Sequence, residues 1–158
     1  MTQTPEHHIE LENFWPYRAT VLADQISRHT LSVVREEAGL NLSQWRVLAA
    51  VADKPGRTAA EVTAVTPMDK TIVSRAVNSL ITSGRIKKTA HVDDRRRASL
   101  FLTTEGKRAY EKISIVLNQT LISSFPDKAA MDNFVTQLRV FSDMLYKIRP
   151  SKDGAKCL

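Results

Sequence analysis

The sequence of 158 residues predicts a mainly α-helical fold with one small antiparallel β-hairpin. Apolar residues recur at three- and four-residue steps in several segments, which is the period of an amphipathic helix. That period is lost between residues 85 and 103, where two short runs flank a charged turn, as in a hairpin. Apolar residues make up 42% of the chain and charged residues 25%, a balance typical of a globular protein that buries its own core.

Several classes of protein are excluded by what the sequence lacks. One cysteine, Cys157, cannot form an internal disulfide framework or a zinc knuckle, and a reducing, cytoplasmic location is the expectation. There is no run of about 18 apolar residues and no signal-peptide pattern at the start, so we expect no membrane partner. Glycine-rich phosphate loops, nucleophile motifs and histidine pairs at metal spacing are also missing, so we expect no enzyme, metal site or cofactor.

A long first helix is predicted over Leu11–Ala38, after a polar and flexible tail at residues 1–10. Pro16 falls in its first turns, where proline is tolerated, and Gly39 fits the C-terminal cap.

Two short helices follow. Ser43 is predicted as the N-cap of the first, and residues 54–56 (Lys-Pro-Gly) form a turn after it. Thr58-Ala-Ala-Glu61 is a capping box that opens the second, which ends near Val65.

The next helix, predicted over Pro67–Ser83, is the most informative element. Thr66 is expected as its N-cap, Asp69 in its first turn, and Gly84 just after its end. Its inward stripe is expected to contain Ile72, Val73, Ala76, Val77, Leu80 and Ile81. Its opposite face presents hydrogen-bonding and basic side chains, namely Lys70, Thr71, Ser74, Arg75 and Asn78.

This face has the chemistry that the major groove of DNA requires. Its donors and acceptors can reach base edges, and its hydroxyls can meet phosphates. A helix that only faces solvent more often carries glutamate–lysine pairs, and this helix has no glutamate. An ordinary amphipathic helix remains the alternative.

Two strands are predicted after this helix, over residues 85–92 and 98–103, joined by a charged turn at residues 93–97. A hairpin directly after a helix pair predicts a winged helix-turn-helix. The tip carries three consecutive arginines, which suit a narrow minor groove and phosphate oxygens, namely Arg95, Arg96 and Arg97. We expect Asp94 to hold one of these arginines in place.

The positive charge is concentrated in the same region. Residues 70–97 hold eight basic and two acidic side chains, a net charge of +6 that equals that of the whole chain. This asymmetry predicts a polyanionic partner, with a solvated basic face as the alternative.

The last two helices are predicted over residues 104–124 and from Met131 to Ile148, before a flexible tail at 150–158. We expect residues 11–41 and 104–149 to form a helical dimerisation region around a DNA-binding domain at 42–103. The apolar stripes exceed what a small winged domain covers, which favours a homodimer that matches a two-fold operator. A monomer that folds these helices back on itself is the alternative.

In three segments the sequence resembles MarR-type transcriptional regulators, namely Leu42–Leu48, Met68–Val77 and Asp94–Gly106. The resemblance implies a triangular homodimer that represses by occupying pseudo-palindromic double-stranded DNA, with a ligand pocket between the dimerisation helices and the winged domain. It also implies that Arg96 pairs with Asp69 and supports the wing, which leaves the two flanking arginines as freer DNA contacts.

A narrower resemblance points to the branch that controls catabolism of hydroxycinnamates and related aromatic acids, on residues 14–22, 45–46 and 69–70. Members of that branch respond to the acid or to its coenzyme A thioester. Aromatic rings would wall a slot and an arginine would pair the carboxylate. The expected ligand-binding residues are Phe14, Trp15, Tyr17, Arg18, Leu22, His29, Trp45 and Arg46. Aromatics that serve only as core or interface remain the alternative.

Two other functions remain open as alternatives to a ligand-responsive regulator. The first is a constitutive or architectural DNA-binding protein with no effector. The second is an interaction module whose basic strip binds an acidic protein.

Overall fold

The computed structural model describes residues 9–90 and 98–148, and it confirms a mainly helical fold with a small antiparallel sheet. The first helices are α1 (Trp15–Ala38), α2 (Leu42–Asp53), α3 (Ala59–Val65) and α4 (Lys70–Thr82). The strands β1 (Ile86–Ala90) and β2 (Ala98–Leu102) follow, then α5 (Thr104–Leu121), a 3-10 turn (Ile122–Ser124) and α6 (Lys128–Ile148). The described residues form two compact units, one up to Leu117 and one from Asn118.

The first helix begins four residues later than predicted, at Trp15. Residues 11–13 form a separate turn, in which the Phe14 N–H donates to the Leu11 carbonyl at 3.3 Å. Pro16 lies in the first turn of α1, where its missing N–H leaves no helical bond unmade. The predicted end is confirmed, since Gly39 has a φ of 63° and its N–H donates to Arg35 O.

The predicted N-cap Ser43 is wrong, because Asn41 caps α2. The Gln44 N–H donates to Asn41 Oδ1 at 2.9 Å, and the Asn41 N–H donates to Gln44 Oε1 at 2.8 Å. This reciprocal pair satisfies two backbone donors, which a serine two residues further on cannot do. The capping box of α3 is confirmed, with Thr58 and Glu61 bonded in the same way.

The predicted start of α4 is also wrong. Asp69 is the N-cap, and its Oδ1 accepts from the Ile72 N–H at 2.8 Å. Thr66 instead closes the preceding helix, where its hydroxyl donates to the Val62 carbonyl at 2.8 Å. Pro67 therefore lies in the connection between α3 and α4, before the helix begins.

One apolar core joins α1–α4, the hairpin base and the first half of α5. Its fully buried members are Val34, Val47, Leu48, Val51, Val62, Val73, Leu80, Ile86, Leu100 and Ile113. The predicted inward stripe of α4 is correct for Val73, Ala76, Val77 and Leu80. It is wrong for Ile72, which is 39% exposed because α2 and α3 cover a narrower strip of the helix than the sequence pattern implies.

The hairpin is antiparallel, with Ile86 opposite Leu102 and Ala90 opposite Ala98. At the hairpin base each strand is one residue shorter than predicted, since Arg85 and Thr103 lie outside β1 and β2. The charged turn predicted at residues 93–97 lies outside the described residues. The turn after α2 extends the sheet on the other side of β2. There the Gly56 N–H donates to Leu100 O and the Leu100 N–H donates to Arg57 O, both at 2.9 Å.

A compact junction ties the hairpin base to α5. The Thr103 hydroxyl donates to the Gly84 carbonyl at 2.6 Å and accepts from the Gly106 N–H at 3.1 Å, while the Thr103 N–H donates to Arg85 O. The predicted start of this helix at residue 104 is thus confirmed, and α5 itself ends at Leu121. Gly106 is buried so close to Arg85 that a Cβ would lie 2.0 Å from its carbonyl oxygen.

In the second unit, α6 carries a long apolar stripe that is mostly exposed. Its members include Phe134 (37%), Val135 (38%), Leu138 (50%), Leu145 (49%) and Ile148 (70%). Among the helices of the described ranges, none is long and apolar enough to cross a membrane.

Replacing Gly106 by alanine should destabilise the protein by about 3 kcal/mol, because the new methyl group collides with backbone rather than with a movable side chain. Gly39→Ala is the matched control, since a Cβ there meets nothing within 4 Å and only the left-handed φ is strained. Its expected cost is about 1 kcal/mol. Chemical denaturation of both variants measures the difference, and equal losses would contradict the close packing at the hairpin junction.

Candidate nucleic-acid interface

The polar face predicted for α4 is exposed to solvent along its whole length. The exposed residues comprise every predicted member, namely Lys70, Thr71, Ser74, Arg75 and Asn78. The stripe on the opposite side of the helix is buried against α2 and α3, so the rotation of α4 about its axis is fixed by the core. The structure thus presents these side chains as one continuous row.

A cleft of about 230 Å³ borders one side of this row. Ser74 and Asn78 line it from α4, Lys88 lines it from β1, and Thr58 lines it from the start of α3. The polar face of α4 therefore continues onto β1 of the hairpin.

A second cleft, of about 360 Å³, borders the other side. The start of α2 lines it with Asn41, Ser43 and Gln44, and α4 contributes residues that include Ile72 and Arg75. One contact crosses this cleft, in which Gln44 Nε2 donates to Ser79 Oγ at 2.7 Å. This hydrogen bond holds the start of α2 next to the polar face of α4.

The basic residues near this face have two different roles. Lys70, Arg75 and Lys88 are exposed and available to phosphates. Arg85, which the charge count also included, is structural, because its Nη2 donates to the Ala38 carbonyl at 2.9 Å and ties β1 to the end of α1.

The remaining predicted DNA-facing residues are Arg95, Arg96 and Arg97, which lie outside the described residues together with Asp94. The pairing of Arg96 with Asp69 stays a prediction. The described role of Asp69 is the N-cap of α4, which uses one carboxylate oxygen.

The predicted ligand-binding residues are distributed over two helices. The exposed ones stand near the start of α1, namely Phe14, Trp15, Tyr17, Arg18 and Leu22. His29, further along α1, and Trp45 and Arg46, on α2, are half-buried. Trp45 stacks on Tyr110 of α5, with ring centroids 5.7 Å apart and planes 18° from parallel.

Tyr110 also lines a cavity of about 400 Å³, which the sequence did not predict. The cavity is lined by Val51, Ala52, Pro55, Lys87, Phe101, Leu102, Lys107, Tyr110 and Glu111. None of the eight predicted ligand residues belongs to this lining. Only a weak sequence signal indicates this cavity, namely the position of Tyr110 next to Ala109 on the buried side of α5. Tyr110 lies far along the chain from α2 and the hairpin, so no local pattern connects these cavity-lining segments.

Comparison with known proteins agrees with this geometry. A family profile described as MarR family matches residues 38–97, from the end of α1 to the hairpin turn. The HTH-type transcriptional regulator BilQ of Clostridium symbiosum is 24% identical over 148 residues, 94% of this chain and 99% of BilQ. By these matches and by its fold, the chain is similar to MarR-family winged-helix transcriptional regulators.

Two solved structures share the fold of this chain. The transcriptional repressor CouR, bound to a 23-mer DNA duplex, has a TM-score of 0.71 at 18% identity and covers 91% of this chain and 99% of its own. The PcaV transcriptional regulator of Streptomyces coelicolor, in complex with its natural ligand, has a TM-score of 0.70 at 23% identity and covers 86% and 96%.

If Arg75 or Asn78 reads a base, replacing it by alanine should weaken binding to a selected duplex by about 1–3 kcal/mol and have a smaller effect on random DNA. Arg97→Ala should weaken binding to both duplexes alike and flatten the salt dependence, since we expect this arginine to contact phosphate rather than a base. Fluorescence anisotropy over a range of salt concentrations measures both effects. Equal losses on the two duplexes for Arg75→Ala and Asn78→Ala would make those residues phosphate contacts.

Proposed function

We propose that two copies of this MarR-type regulator bind a pseudo-palindromic operator and repress genes of aromatic-acid catabolism. An aromatic acid or its coenzyme A thioester then releases the protein from the operator. Each copy places α4 in a major groove and the hairpin tip at the adjacent minor groove. The observation that carries the proposal is the unbroken polar row on α4, which the core holds toward solvent.

The chemistry of this row favours duplex DNA over an acidic protein. Asn78 can form a bidentate pair with adenine and Arg75 with guanine, while Thr71 and Ser74 can meet bases or phosphates. An acidic protein partner needs positive charge but not this mixture of amide, hydroxyl and guanidinium groups at helical spacing. The same row does not distinguish a ligand-responsive repressor from a constitutive DNA-binding protein, so the effector requires its own support.

The stripe on α6 supports a homodimer. Leu138 and Leu145, seven residues apart, are both about half exposed, and Val135 and Ile148 extend the stripe in both directions. Leaving such an extended stripe in water is unfavourable, and steps of three and four residues suit a helical partner. A second copy supplies the same stripe and also matches the two-fold symmetry of a palindrome.

The stacked pair of Trp45 and Tyr110 supports an aromatic effector. Tyr110 contributes to the 400 Å³ cavity, whose volume lies within the range of small-molecule sites. Phe101 forms another aromatic wall, and Lys87 and Lys107 supply amines that can pair a carboxylate. An aromatic acid fits this volume, whereas the coenzyme A part of a thioester would extend outside it.

The position of the cavity offers a route from effector to DNA. Lys87 and Phe101 are opposite each other in the hairpin, and both line the cavity. A ligand that binds the released form more tightly shifts the hairpin between two positions, and only one of these matches the DNA grooves. A coupling of about 1–3 kcal/mol corresponds to a change of about 5- to 150-fold in operator affinity.

Saturating 4-hydroxycinnamate, or its coenzyme A thioester, should lower operator affinity by about 5- to 150-fold. Arg18→Ala and Arg46→Ala should keep the basal DNA affinity and blunt this response, because each removes a candidate partner of the carboxylate. Lys107→Ala tests the cavity in the same way. Its matched control is Lys112→Ala, an exposed lysine of α5 outside the cavity lining.

Operator binding and tryptophan fluorescence measure this response. A loss of response in Lys107→Ala alone would assign the carboxylate to the cavity and remove the two arginines from the site. An unchanged operator affinity with every acid and thioester would contradict the effector proposal and leave a constitutive DNA-binding protein.

A further inference from the structure

Ile72 is the one large apolar side chain exposed on α4, a helix whose residues are all described. It is 39% exposed in the first turn of the helix, between Thr71 and the buried Val73. Its backbone is firmly placed, because its N–H donates to the Asp69 cap. A single exposed isoleucine is common on protein surfaces, so its significance depends on its neighbours.

The neighbours of Ile72 are mainly polar. It lines the cleft between α2 and α4 together with Asn41, Ser43, Gln44 and Arg75. Arg75 belongs both to this cleft and to the polar recognition face, so Ile72 borders that face. The contact between Gln44 and Ser79 lies about two turns further along the same side of α4.

We infer that Ile72 contacts the C5-methyl group of a thymine in the major groove and sets a preference for thymine at that position. The inference rests on the proposed function, since α4 must first enter the groove. In helix-turn-helix proteins the N-terminal residues of the recognition helix meet the base edges, and Ile72 is in the first turn. The thymine methyl is the apolar group that this groove offers, and apolar side chains recognise it.

The side chain suits this contact energetically. An isoleucine in a helix is nearly restricted to one χ1 rotamer, so it loses little freedom when DNA covers it. Burial of one methyl-sized group contributes a factor of about four in affinity, which is enough to bias one base position. Polar residues around the cleft can meanwhile keep their contacts with water or phosphate.

The test uses a duplex enriched by the wild-type protein from a random pool. Deoxyuridine then replaces each thymidine in turn, which deletes the methyl group and keeps base pairing. For the wild-type protein, one replacement per half-site should reduce affinity by about fourfold. For Ile72→Ala the same replacement should have no effect, while the variant should bind the unmodified duplex about fourfold more weakly. Alanine favours the helix, so α4 should form normally.

Two controls identify the side chain responsible. Ile115→Ala removes another exposed isoleucine, on α5, and should keep the wild-type sensitivity to deoxyuridine. Thr71→Ser removes the neighbouring methyl group and should also keep it. If sensitivity disappears in Thr71→Ser but persists in Ile72→Ala, the inference is overturned in favour of Thr71.

The outcomes separate this inference from the proposed function. Wild-type binding that depends on sequence but on no thymine methyl would overturn the role of Ile72 and leave operator binding intact. A pool from which no duplex is enriched would contradict the proposed function itself, and the inference with it.

Discussion

The packing of α4 against α2 and α3 is the constraint on which the rest of the molecule depends. Burial of Val73, Ala76, Val77 and Leu80 fixes the rotation of the helix. Once that stripe is inside, Thr71 and its polar neighbours must face outward, whatever their own preferences. The solvent-exposed polar face of α4 is therefore a consequence of core packing. Because the helix is rigid, it presents its hydrogen-bond donors without the entropic cost of ordering a loop.

The hairpin depends on a second set of contacts, at its base. Thr103 bonds to the backbone of Gly84 and Arg85, and Gly106 allows the first turn of α5 to approach that backbone. The turn containing Gly56 extends the sheet beside β2. These contacts hold the base of the hairpin against the end of α4 and the start of α5.

The order of elements and the exposed polar residues of α4 were predicted correctly, because a buried helical stripe requires apolar residues at three- and four-residue steps in the sequence. The prediction failed at the helix starts expected at Ser43 and Thr66, because several polar residues compete to cap a helix and only the geometry shows which side chain reaches the free backbone N–H groups. The exposure of Ile72 depends on how wide a strip the neighbouring helices cover. The stacking of Trp45 on Tyr110 of α5 depends on packing between segments that are distant along the chain, and no local sequence pattern predicts such packing.

Hydroxyl-radical footprinting of a selected duplex tests the central claim, that two copies of α4 occupy neighbouring major grooves. The account predicts two protected segments related by a dyad, with centres about one helical turn apart, or 10–10.5 base pairs. Further protection is expected beyond each segment, in the minor groove that we propose for the hairpin tips. A single asymmetric segment, or uniform protection along the duplex, would contradict the account.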